Sequence, residues 1–483
     1  MIRFAKIAAI VCLFLISPAI AAAQSLLPGQ AQASQMTSAS PAISSGCDSF
    51  APAALGSSAS PAVDDKKTIH GFDPADFDHA AKPCDDFYEF IAGGWMKNNP
   101  IPADRSSWTT FGKLRAANED ALHQILEDAA KNKSAAPGSN LQKIGDFYSS
   151  CMNEAQAESL GAKPLDPEFA RIAAVKDAAG LQAEIAHLQR MGVDLAFGFG
   201  SLQDFKDSTQ VVFVAGQGGL SMPDRQYYLD DDDRSKTLRA GYVQHVTNMF
   251  KLLGDSSEKS AAEAKVVVDM ETAFAKAATE RALLRDPQRN YHLMTLVQLN
   301  DLTPHFSWTA YFQQIGAPAV TQVDVAQPDA MKAVDSSLAG VSLDDWKTYM
   351  RWHVIHNAAP TLSKKFVEEN FDFFSRQLAG TKEDLPRYRR CVQVTDGELG
   401  EALGQLYVEK YFPPEAKAQA ITIIHNLMAA LRDDLQTLDW MSPGTRQMAL
   451  HKLDKMNLKI GYPDKWRDYS AFKIGRASCR ERV

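Results

Sequence analysis

Val267, Met270, Phe274 and Ala278 follow one another at steps of three and four residues, and Ile424, Leu427, Leu431, Leu435 and Leu438 do the same. At 3.6 residues per turn, each set draws one apolar stripe along a helix. Helix starts are marked as well. "FPPE" puts Pro414 in a first turn, where a missing N–H costs nothing, and "SPG" sets Ser442 as the cap before Pro443. The exception is "DLAFGFGSLQDFKDSTQVVFVAGQGG", in which β-branched and aromatic residues flank the polar "DFKDS" and predict a strand pair. No repeat of 20 to 50 residues runs through the chain. The expected fold is mainly α with a small β-hairpin element.

The 483 residues are 45% hydrophobic and 23% charged, enough for two or three domains with real cores. A formal net charge of −8 argues against a nucleic-acid partner, which needs a basic surface to neutralise phosphates. Arg3 and Lys6 precede the apolar run Ile7 to Ile20, and Ala21-Ala22-Ala23 offers small residues before Gln24, so residues 1–23 read as a secretory signal. The run is shorter than a membrane span and contains Pro18, and no other segment reaches spanning length, so no stable membrane span is expected in the mature protein. Residues 24–70 are rich in Ser, Ala and Pro, with few large apolar side chains to offset ordering entropy, and read as a disordered spacer. The folded part is expected from Gly71.

"PCDDFYEFIAGGWMKNNPIPADRSSW" places Asp85 and Asp86 at a helix start and Phe87, Phe90 and Ile91 on one face, with Gly93-Gly94 read as the helix end. Taken as a string it resembles the start of the neprilysin-like M13 zinc peptidases. Further matches come in the same order: "FYSSCMNE" (147–154), "GQGGLSMPDRQYYL" (216–229), "MTLVQLNDLTPHFSW" (294–308), "ENFDFF" (369–374), "RRCVQVTDGELGEALGQLYVEKYF" (389–412) and "IGYPDKWRDY" (460–469). The resemblance covers residues 71–470 and implies the large multi-helix lobe of a two-lobed peptidase.

Members of that family hold one zinc ion with the histidines of H-E-x-x-H on a helix and a glutamate from a later helix. Residues four apart share a helix face, so both imidazoles reach one metal while the intervening glutamate takes a proton from bound water. None of the eleven histidines of this chain is followed by Glu, so zinc belongs to the intact enzyme and its ligands are absent here. The nearest substitute is His353 with His356, three apart in "YMRWHVIHNAAPTL"; a buried helix with hydrogen-bonded histidines is the preferred reading there. The run Asp230 to Asp233 lacks the spacing and glycine of a calcium loop and reads as a solvated face or helix start. "FGFGSLQ" has Gln203 where a dinucleotide fingerprint needs a third glycine. No catalytic residue is assigned.

Removing Cys12 with the signal leaves Cys47, Cys84, Cys151, Cys391 and Cys479 in a chain read as exported. The resemblance implies a bridge between Cys151 and Cys391, which would stabilise the fold by roughly 5 kcal/mol in the chain-entropy model. It also leaves Cys84 unpaired, because its family partner belongs to the catalytic lobe. Residues 471–483, including "IGRASCRER", do not resemble the family's own continuation after "KWRDYS" and read as a foreign or misread tail, with a naturally truncated paralogue as the alternative. Arg105, in the loop with Ser106 and Ser107, is by resemblance near the substrate cavity and suited to a peptide carboxylate; a surface arginine capping the next helix is the plainer reading. The expected function is that of an exported zinc metalloendopeptidase acting on small peptides, represented by the lobe that lacks the zinc site, its partner being the missing catalytic lobe. The alternative is a noncatalytic exported protein that binds peptides or a partner.

Overall fold

The computed structural model describes residues 73–317 and 319–473. The stretches read as a signal (1–23) and a spacer (24–70), and the tail beyond residue 473, lie outside the described residues. The chain divides into two compact units: Leu165–Asp384 with the chain up to Ala116, and Ala117–Pro164 with the chain from Leu385.

In the first unit a four-stranded sheet is set among helices. β1 (Phe197–Gln203) and β2 (Val211–Gln217) pair antiparallel with Phe197 opposite Gln217, the hairpin foreseen in the sequence. Two further strands, β3 (Leu293–Thr295) and β4 (Gln322–Val325), extend it in the order β1-β2-β4-β3, with β2 and β4 parallel. At three and four residues they are too short to show an alternation.

The helix Ser257–Ala277 buries Val267, Met270 and Phe274 beside the helices Asp233–Leu252 and Leu343–Ala358. Trp346, Tyr349 and Trp352, at steps of three on the last of these, are fully buried. The Tyr349 hydroxyl accepts from Ala196 N (3.0 Å) and donates to Gly219 O (2.9 Å). Gly219 has φ +71°, and a Cβ there would stand 2.5 Å from that hydroxyl, so the last glycine of "GQGG" is required twice over.

Gly93-Gly94 does not end its helix, which runs from Phe87 to Asn98. A Cβ on Gly94 would lie 2.7 Å from Ala75 O and 2.8 Å from Asp76 O. Gly94 instead lets the short 3₁₀ turn Pro74–Asp76 lie directly on the helix.

The second unit packs the helix Asn140–Met152 against Arg387–Tyr411 around Leu126, Ile144, Tyr148, Val392, Leu399 and Leu403. A disulfide joins Cys151 to Cys391, with Cα atoms 5.7 Å apart. "IGYPDKWRDY" is held here too. Lys143 donates to Tyr469 O, Lys417 Nζ to Tyr462 O (2.9 Å), and Arg467 N to Glu401 (2.7 Å). The helix Pro414–Thr437 starts at its proline, as read from the sequence, yet buries none of its residues.

Candidate functional site

The two histidines nearest to a metal motif sit in the core of the first unit. Ser342 caps their helix, accepting from Asp345 N at 3.1 Å. His353 is 2% exposed, and its Nε2 lies 3.4 Å from Glu271 Oε1 without forming a hydrogen bond. Glu271 is fully buried and already served: Ser221 Oγ donates to Oε1 at 2.6 Å, and the hydroxyls of Tyr228 and Tyr242 donate to Oε2 at 2.9 and 2.7 Å. Trp352 Nε1 donates to the same Ser221 Oγ at 2.8 Å, which closes the network.

His356 lies one turn on, stacked on Trp352 and against Phe374. Its Nδ1 is buried without a hydrogen-bond partner, and burial, reinforced by His353 and His245, pushes its pKa down to about 3. The two rings therefore belong to an aromatic core rather than to a metal centre. The expectation that both are hydrogen-bonded holds less well, since His353 Nε2 and His356 Nδ1 make no hydrogen bond.

Among the described residues, the group whose donor atoms come together in metal-ligand fashion lies elsewhere: Glu168, Glu184 and His187, with one donor atom from each within 4.8 Å of the others. Glu168 is on the helix Asp166–Ala174, whereas Glu184 and His187 are three apart on Ala178–Arg190 and so share a face. His187 Nε2 is 2.8 Å from Glu168 Oε2, and Arg171 Nη2 donates to Glu184 Oε2 at 3.2 Å. Burial raises the Glu184 pKa, opposed by the charge of Arg171. Sequence reasoning missed this group. Only the three-residue spacing of Glu184 and His187 could have signalled it, and that spacing is common in amphipathic helices.

Arg105 is mostly buried, with 16% of its side chain exposed, 3.9 Å from Asp104. Its loop is tied down by Lys382 N and Glu383 N, which both donate to Ala103 O. At the start of the following helix Thr109 Oγ1 accepts from Gly112 N at 3.1 Å. Cys84 is disulfide-bonded, which corrects the expectation that it stands unpaired. That expectation rested on a family partner in the other lobe, whereas a bridge needs only a second thiol in disulfide geometry. The aspartate run is a helix start, with Asp232 accepting from Ser235 N at 3.1 Å. Two shallow clefts, of about 370 Å³ beside Leu141 and Leu406 and about 260 Å³ beside Asp224 and Arg281, hold neither Arg105, the two histidines nor the Glu168–Glu184–His187 group; Asp230 and Asp232 of the aspartate run line the second.

Among known protein families, the model of "Peptidase family M13" matches residues 83–463. Endothelin-converting enzyme 1 of Rattus norvegicus is 30% identical over 403 residues, covering 80% of this chain and 52% of the relative. Neprilysin-3 of Drosophila melanogaster is 30% identical over 410 residues, covering 80% and 51%. The chain thus spans about half the length of the curated relatives it matches. Among solved structures, the Mycobacterium tuberculosis zinc metalloprotease Zmp1 in complex with inhibitor aligns at TM-score 0.78 and 36% identity over 83% of this chain and 60% of its own. PepO from Lactobacillus rhamnosis, at 20% identity and TM-score 0.68 over 80% and 60%, shares the fold.

Proposed function

The chain belongs to peptidase family M13, and from that premise we propose that residues 71–470 form the mainly helical lobe of an exported zinc metalloendopeptidase that hydrolyses peptide bonds of small peptides. The observation that carries this reading is the extent of the match. Residues 83–463 fall in both compact units, and the 36% identity with a zinc metalloprotease extends over 83% of the chain. Export is supported by the basic start, apolar run and small-residue triplet before Gln24. Among the described residues no helix is long and apolar enough to cross a membrane.

The zinc that the family implies does not fit His353 and His356. Both rings are enclosed by aromatic side chains, and the nearest carboxylate, Glu271, is occupied by three hydroxyl donors. No catalytic step is therefore assigned to residues of this chain. Its contribution would be to enclose and orient the peptide, with Arg105 as the candidate partner for a substrate carboxylate.

A second reading, a noncatalytic protein that binds peptides or a partner, is favoured by one observation: no histidine of the chain precedes a glutamate. A chimera separates the two. Residues 73–470 replace the matching part of Zmp1, and a quenched peptide is assayed with and without a chelator. Chelator-sensitive turnover is expected, with Arg105→Ala raising KM more than it lowers kcat. A folded, zinc-loaded chimera that binds peptide and cannot cleave it would favour the noncatalytic reading. Chelator-sensitive turnover by the 483-residue chain alone would show that its own residues hold the catalytic metal.

A further inference from the structure

Glu184 is 4% exposed, and its Oε1 is buried with no hydrogen-bond partner, although Oε2 receives Arg171. A buried carboxylate oxygen without a donor is costly, and native structures usually supply a partner for it. The same carboxylate gives a donor atom to the group in which Glu168 and His187 take part, all within 4.8 Å of one another. The cation now beside it is the one most easily displaced. Arg171 is 49% exposed, stands 3.2 Å from Glu184 Oε2 and 3.8 Å from Glu168 Oε2, and projects from the first turn after Glu168.

We propose that Glu168, Glu184 and His187 bind one divalent transition-metal ion, with Arg171 swinging into solvent as the ion enters. One imidazole nitrogen and two carboxylate oxygens form a donor set that suits zinc, leaving a fourth position for water. The ion supplies the charge that Arg171 supplies without it, and it meets the buried Glu184 oxygen that the arginine leaves unserved. By joining the helices Asp166–Ala174 and Ala178–Arg190 it acts as a staple, independent of whether the chain takes part in peptide hydrolysis.

Titration of the metal-free chain with zinc chloride by calorimetry, alongside thermal unfolding with and without the ion, tests this. One equivalent is expected, together with a rise in the unfolding temperature. His187→Ala and Glu184→Gln should each weaken binding by more than the roughly 10- to 100-fold typical of losing a supporting contact to a ligand, and should abolish the thermal shift. Arg171→Met should tighten binding, because a competing cation is gone. His187 is the deciding position if the buried Glu184 variant does not fold, since its side chain is partly exposed. No binding by the folded chain, an equivalent unaffected by His187→Ala, or weaker binding in Arg171→Met would each overturn the proposal, the first by showing a purely structural ion-pair cluster.

Discussion

At the scale of the residue, His356 shows how burial alone decides a charge. An unfolded chain protonates this imidazole below 6.5, whereas the folded chain keeps it neutral down to about 3. Between those values the unfolded state holds the extra proton, so this contribution to stability is present above 6.5 and is lost as pH falls through the window. His245 acts in the same sense: burial lowers its pKa, although Glu369 at 3.1 Å opposes the shift. Asp194, although its residue surface is exposed, acts in the opposite sense, because desolvation of its carboxyl raises its pKa and the folded state takes its proton first. A variant is therefore needed to isolate the imidazole. His356→Phe, in a pocket of Trp352 and Phe374, should gain unfolding temperature relative to the parent as pH falls from 6.5 toward 3. Parallel melting curves over that range would refute the account. The sequence could place His353 and His356 on one helix. It could not show that Ser221, Tyr228 and Tyr242, from other elements, converge on the carboxylate beside them.

At the scale of the element, the helix Phe87–Asn98 separates local preference from packing. A glycine pair reads as a terminator because glycine costs about 1 kcal/mol relative to alanine in a helix. By that measure Gly94→Ala should stabilise. The structure sets the opposite sign, since the added methyl group would meet backbone oxygens of Ala75 and Asp76 at 2.7 and 2.8 Å, and backbone cannot step aside as a flexible side chain can. Gly94→Ala is expected to lower stability by about 1–3 kcal/mol, with faster hydrogen exchange at Ala75 and Asp76. A stabilised variant would mean that the Pro74–Asp76 turn does not rest on the helix in solution. The Cys151–Cys391 link has a related lesson. Cysteine positions alone leave several pairings open, and only likeness to a family singled this one out.

At the scale of the whole molecule, the two apolar stripes that the sequence marks in the same way have different fates. Val267, Met270 and Phe274 are buried, whereas Leu427 and Leu431 on Pro414–Thr437 are 60% and 45% exposed and Trp440 beyond them is 73% exposed. Phe274→Ala should cost about 3–5 kcal/mol in a denaturant titration. Leu427→Lys and Leu431→Lys should change stability by no more than about 0.5 kcal/mol and reduce self-association by sedimentation, because an uncovered apolar face is what draws copies together. Strong destabilisation by the lysines would show that the face is covered in solution. By itself the sequence determined the helices, their caps and the β1–β2 hairpin, because turn periodicity, capping chemistry and strand alternation act within a few residues. Only the tertiary structure decided which stripe is covered, which glycine admits a neighbouring backbone, and that Glu168 meets Glu184 and His187 across two helices. Each of these depends on contacts between different elements, and a local pattern carries no record of what will pack against it.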